Sequence, residues 1–154
     1  MGRTLAAGLY YHEDLLIADT WRTGGILVTE SHVLGFAGLS GDFFDLHVDE
    51  DFARELGFPG RVAHGLLGLA LVDGLKNRAP VRLSAIASLG WAWDFAAPIL
   101  IGDRIGARIA VASTRETRNP ARGIAELSFE VTNQRGEVVQ KGTNTLMMNR
   151  GRPA

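Results

Sequence analysis

Cysteine is absent from this chain, so neither a disulfide framework nor a thiolate metal site can be built. That fits a reducing compartment. An excess of charge of one sign is missing too: 16 Lys and Arg stand against 17 Asp and Glu, a formal net charge of −1. No surface-wide field is therefore available to hold nucleic acid or an anionic membrane, and a polyanionic ligand would need a local basic patch. No apolar run approaches the roughly eighteen residues of a membrane span. The opening MGRTLAAGLYYHED carries one arginine and a short apolar stretch broken at Tyr10–Asp14, which is not the pattern of a secretory leader. The chain reads as soluble and cytoplasmic. Internal repeats, low-complexity tracts and an interdomain linker are also lacking.

What remains is a length of 154 residues, enough for one sizeable core and too short for two, so a single domain over residues 1–154 is expected. An apolar fraction of 46% with 21% charged residues is that of an ordinary globular protein.

The character of the chain changes near Pro80. Before it, Gly25–Glu30 reads as a first strand, Ser31 as the N-cap of a short helix His32–Ala37, and Leu39–Leu46 as irregular, having neither period. Asp49 is placed to cap a helix Glu50–Leu56, ended by Gly57, Pro59 and Gly60. His64–Asn77 (HGLLGLALVDGLKN) is the one long apolar helix, with almost no polar face, so it must be buried on most sides. Its three internal glycines, each costing about 1 kcal/mol against alanine in an exposed helix, point to close packing on a sheet.

After Pro80, four strands are expected at Ser84–Phe95, Arg104–Arg115, Arg122–Asn133 and Glu137–Asn149. Ile124 and the series Leu127, Phe129, Val131 lie on different parities, which suggests a bulge in the third. Asn119-Pro120 and Gln134-Arg135-Gly136 mark the turns. One buried helix followed by an antiparallel meander is an α+β pattern, and an antiparallel sheet wrapped around one apolar helix is the hot-dog architecture. A single copy would leave sheet edge and apolar surface exposed, so a homodimer, or a larger assembly of dimers, is expected.

Gly41-Asp42-Phe43-Phe44-Asp45-Leu46-His47 is the stretch that carries chemistry. It sets a carboxylate and an imidazole five positions apart among apolar residues. Those flanks would desolvate Asp42 and raise its pKa toward the range useful for proton transfer, while histidine titrates near neutrality unaided. Two such groups converging on one water could take its proton and return one to carbon. By itself the spacing is weak, because an Asp in a Ser-Gly-Asp turn is more often a local backbone cap.

Order along the chain adds to it. Phe36-Ala37-Gly38-Leu39-Ser40-Gly41-Asp42-Phe43 followed by Leu46-His47 resembles the hydratase motif of the MaoC-like dehydratase family, which includes the R-specific enoyl-CoA hydratases. Gly60-Arg61-Val62-Ala63-His64-Gly65-Leu66-Leu67 resembles that family's approach to the hot-dog helix. Trp93–Ile99, Ile101-Gly102-Asp103 and Glu126–Val138 resemble its first long strand, the turn after it and its later hairpin. The resemblance runs from about Tyr11 to Met148 and implies a hot-dog fold and hydration of a 2-enoyl thioester, with coenzyme A or an acyl carrier as the thiol and no other cofactor. It implies Asp42 and His47 as the catalytic dyad, leaving open which is the base, and the backbone N–H of Gly65 as a donor to the thioester oxygen. A helix N-terminus does offer unpaired N–H groups and partial positive charge, and glycine lets a ligand approach. Where the family usually has Asn-Pro, this chain has Phe44-Asp45, so the loop must be held differently and Phe44 is expected to reshape the acyl pocket.

His64 adjoins that helix start and is expected to cap, pack or line the substrate rather than catalyse. Asp73, a carboxylate on an otherwise apolar helix, supports a rival reading as a hot-dog thioesterase, and the altered Phe44-Asp45 supports another as a non-catalytic acyl-thioester binding subunit. Lys76, Arg78 and Arg82 could meet the phosphates of coenzyme A. Asp42, Asp45, His47, Asp49 and His64 show no recognised metal-ligand spacing, and no metal is expected.

Overall fold

The computed structural model describes residues 2–151. Three short strands come first, β1 (Gly8–Tyr10), β2 (Thr20–Arg22) and β3 (Ile26–Leu27). Helices α1 (Glu30–Ser40), α2 (Asp45–Val48), α3 (Glu50–Glu55) and α4 (Gly65–Asn77) follow, then the short β4 (Val81–Leu83). Four long strands close the chain: β5 (Ala85–Phe95), β6 (Arg104–Glu116), β7 (Arg122–Thr132) and β8 (Val138–Asn149).

The sheet is antiparallel, ordered β2-β6-β7-β8-β5, with β3 beside the start of β6, while β1 and β4 form a separate parallel pair. Period-2 alternation does the work expected of it. Ile105, Ala107, Ile109 and Val111 of β6, Ala125, Leu127, Phe129 and Val131 of β7, and Leu146 and Met148 of β8 are all buried, in one cluster with Leu67 and Val72 of α4. Each such Val, Leu, Ile, Phe or Met side chain contributes about 1.5–3 kcal/mol on burial.

Helix α4 is tied to β8 at both ends: the Gln140 Nε2–H donates to the Gly65 carbonyl at 2.9 Å, and the Lys76 ammonium to Asn144 Oδ1 at 3.2 Å. Two of its three internal glycines have the close contact expected of them. A Cβ on Gly65 would lie 2.5 Å from the Phe95 ring and one on Gly68 2.4 Å from the Gln140 amide, whereas Gly74 faces open space.

The first half departs from expectation in its boundaries. Within Gly25–Glu30 only Ile26–Leu27 is strand, because Glu30 already begins α1. The N-cap is Thr29, not Ser31: its Oγ accepts from the His32 N–H at 3.3 Å, and its own N–H donates to His32 Nδ1 at 3.0 Å. The helix then runs beyond Ala37 to Ser40 and stops where Gly41 turns left-handed, with φ 79°. Asp49 caps α3 as expected, accepting from Asp51 and Phe52. The bulge sits in β6 rather than β7: Val111 faces Leu127 and Ser113 faces Glu126, so Ala112 is the extra residue. β7 buries one parity from Gly123 through Val131, small residues included, and Ile124 is buried as well on the other parity.

β5 is an edge strand, and Ala85–Gly90 are exposed on both faces. No helix among the described residues is long and apolar enough to cross a membrane.

Candidate active site

The loop between α1 and α2 is set by its own backbone chemistry. The Gly41 N–H closes α1 on the Ala37 carbonyl at 2.8 Å, and the left-handed glycine reverses the chain. Ser40 Oγ then accepts from the Asp42 N–H at 3.2 Å, and Asp42 Oδ1 accepts from the Phe44 N–H at 3.2 Å. Asp42 is thus a local backbone cap through one oxygen and free through the other. The single turn of α2 presents His47 to that second oxygen.

His47 Nε2 and Asp42 Oδ2 lie 3.9 Å apart, too far for a direct hydrogen bond and suited to one water at about 2.8 Å from each. His47 Nδ1 is 2.6 Å from the Val62 carbonyl, which can only accept, so Nδ1 carries the proton and Nε2 of the neutral ring offers a lone pair. The His47 side chain is 12% exposed and that of Asp42 50%. Phe43 and Phe44 are themselves exposed, so the desolvation of Asp42 expected from its apolar flanks does not occur in the single chain.

His47 and Gly65 line one cavity of about 340 Å³, together with Leu46, Phe58, Phe95, Pro98 and Ile99 among others. Its walls are mostly apolar and carry no carboxylate. Gly65 is the first residue of α4, so its N–H has no intrahelical acceptor, and Phe95 stands against its Cα. Gln140, buried in the same wall, holds the Gly65 carbonyl with its amide N–H and accepts from the Trp93 Nε1–H at 2.9 Å. Val62, Phe95 and Gln140 were not anticipated. Only Gln140 had a visible sign, a polar residue on the apolar parity of β8.

Phe44 and His64 border the dyad rather than the cavity. Phe44 packs edge-on against His47, ring centroids 5.9 Å apart, and against Phe52. His64 is 2% exposed; its ring stacks on His47 at 3.8 Å with 26° between planes, and Phe36 covers it at 4.8 Å. The His64 Nε2–H donates to the Asp42 carbonyl at 2.8 Å, and its side chain makes no cap on α4. His64 is thus packed among aromatic rings, and neither it nor Phe44 is among the residues that line the cavity.

One atom each from Asp42, His47 and His64 lies within 4.8 Å of the others, a grouping sequence spacing did not suggest. It does not fit a shared ion. Nitrogen binds zinc along the ring plane at about 2.0–2.1 Å, and two rings stacked face to face at 3.8 Å direct their lone pairs side by side instead of together.

Asp73 stands apart from the dyad. It pairs with Lys76 at 2.7 Å, eight residues along α4 from Gly65, or about 12 Å at the helical rise. Lys76 is only 7% exposed and lies over the Trp91 ring at 5.2 Å; with Arg82, but without the exposed Arg78, it lines a separate cavity of about 270 Å³.

The MaoC like domain family matches residues 17–133 of the chain. The (R)-specific enoyl-CoA hydratase of Aeromonas caviae is 32% identical over 112 residues, 73% of this chain and 80% of that protein. Among solved structures, the MaoC-like dehydratase from Rhodospirillum rubrum superposes with a TM-score of 0.85 at 28% identity, covering 94% of this chain and 99% of that one. A Mycobacterium tuberculosis protein described as having a double hotdogfold gives a TM-score of 0.82 at 20% identity, covering 97% of this chain and 48% of that chain. That likeness is one of fold alone, and it makes the sheet around α4 a hot-dog fold.

Proposed function

The chain belongs to the MaoC-like domain family, and on that premise we propose that it adds water to a 2-enoyl thioester, or removes it from the 3-hydroxyacyl thioester, with coenzyme A as the carrier. The observation that carries this reading is the 3.9 Å gap between Asp42 Oδ2 and His47 Nε2 beside the cavity that contains Gly65.

One water bridges the gap. His47 Nε2 takes a proton from it while its oxygen bonds to C3 of the enoyl group. The π pair of the double bond moves through C2 to the thioester oxygen, where the Gly65 N–H stabilises the enolate. Loss of such a donor typically costs about 2.7–4 kcal/mol of transition-state stabilisation. The dyad then returns a proton to C2 from the same side, so water is consumed in full and both groups regain their starting state. Phe58, Phe95 and Pro98 enclose the acyl group. A homodimer is the working unit in this reading: β5 presents Ile86 and Leu89 uncovered on an unpaired edge, which a second copy would cover.

The test is a series of 2-enoyl-CoA substrates of increasing chain length, followed by loss of the conjugated enoyl absorbance. Hydration that vanishes in Asp42→Asn supports the proposal. Release of free thiol from acyl-CoA would replace it with the thioesterase reading, and acyl-CoA binding without turnover would replace it with the binding-subunit reading.

A further inference from the structure

Resting on the hydration reading, we propose that His64 is the positioning residue of this site, holding Asp42, His47 and the Gly65 N–H in one frame. Three separate contacts converge on it. Its Nε2–H bonds the backbone carbonyl of Asp42, and its ring face supports the His47 ring. Its own carbonyl carbon is bonded to the Gly65 nitrogen, so the peptide unit that carries the proposed oxyanion donor begins at His64. A shift of this one residue therefore moves both proton-transfer groups and the donor together.

The loop needs such a support. Gly41–Phe44 contains neither proline nor asparagine, and its remaining polar bonds are local, among Ala37, Ser40, Gly41, Asp42, Phe43, Phe44 and His47. Among the described residues, His64 is the one side chain distant in sequence that bonds a backbone atom of this loop. It spans 22 positions of sequence to do so. The bond also fixes the tautomer. A carbonyl accepts only, so Nε2 carries the proton and Nδ1 is bare, and Nδ1 has no partner in its buried position. With Phe36 on one side and His47 on the other, the ring has one orientation that satisfies Nε2. An ordinary core histidine would need only the stack; the bond to Asp42 is what makes this one part of the site's geometry.

Two substitutions separate the bond from the packing. His64→Phe keeps an aromatic face for His47 and loses the donor. His64→Gln keeps an N–H near the position of Nε2 and loses the ring. With the wild type hydrating a 2-enoyl-CoA, we expect His64→Phe to lower kcat on the order of 100-fold, the size of loss a misplacement of about 1 Å produces, with KM within about 3-fold. His64→Gln should stay within about 5-fold of wild-type kcat, even though its lost stacking lowers the melting temperature. A His64→Phe enzyme with wild-type kcat, or losses in both variants that follow their melting temperatures, overturns the positioning role. If His64→Phe does not fold, His64→Met carries the same expectation, because it also lacks the donor and is flexible enough to fit. A wild type that does not hydrate overturns the underlying reading instead, and this one with it.

Discussion

Asp42 meets His47 across a gap of 3.9 Å, and that gap has the width of one shared water. Closing it should be as damaging as removing a partner. Asp42→Glu keeps the charge but extends the carboxylate by one methylene toward Nε2, so a direct ion pair replaces the bridged one. We expect a fall in kcat of at least 10²-fold, comparable to Asp42→Asn, with an unchanged melting temperature. Steady-state hydration assays on the two variants check it; an active Asp42→Glu enzyme would mean that no water is held there.

Gly65 and Phe95 make a second testable pair. A methyl at Gly65 would lie 2.5 Å from the Phe95 ring, so Gly65→Ala should cost about 1–3 kcal/mol of stability through overpacking. Adding Phe95→Ala should restore the melting temperature. It should not restore kcat/KM, because the new methyl still stands beside the proposed thioester oxygen.

Asp73→Asn separates the hydratase from the thioesterase reading. It leaves the Lys76 ammonium with Asn144 Oδ1 and the Trp91 face. We expect a lower melting temperature, hydration kcat within about 3-fold of wild type, given the distance of about 12 Å along α4, and no thiol release in either protein.

Acid stability should depend on Asp19, far from the site. The Arg3 guanidinium donates to this buried carboxylate through Nε at 2.9 Å and Nη2 at 2.6 Å, and the Leu16 N–H adds a third bond at 2.9 Å. The Arg3 bonds above all hold the Asp19 carboxyl below its ordinary value of 3.8. A carboxyl with a depressed folded value contributes stability that is fully present above the ordinary value and is lost as pH falls through the folded one. Asp19→Asn should therefore melt below wild type at pH 7, and the difference should narrow on acidification below that ordinary value. Melting temperatures of both proteins across an acid series check the sign.

How far all this was legible in the sequence depends on the range of the interaction. Asp49 as a cap, the buried α4 and the alternation in β6 and β7 are local or periodic, and they were readable. β1 and β2 were not, since three residues are too few to display a period. Ser31 was mistaken for the cap because the signal that decides it, the reciprocal bond from His32 back to Thr29, uses an imidazole where Glu or Gln is usual. Gly123 and Ala125 continue the buried parity of β7, but small residues do not register as an apolar face. In the site, Asp42 and His47 were visible as a spacing, and their resemblance to a family motif made that spacing specific. The bond from His64 to Asp42, the lock of Val62 on His47 and the grip of Gln140 on Gly65 join residues distant in sequence, and only the fold brings them together. Lys76 read as a surface cation for the same reason: its partner Asn144 lies on another element.

The most direct test of a dyad acting on one water is the hydration rate of Asp42→Asn, His47→Gln and the double variant, measured on one 2-enoyl-CoA. Groups that act as a unit give non-additive losses, so each single variant should fall nearly as far as the double. Single losses that multiply to give the loss in the double variant, or a single variant with near-wild-type turnover, would contradict the account.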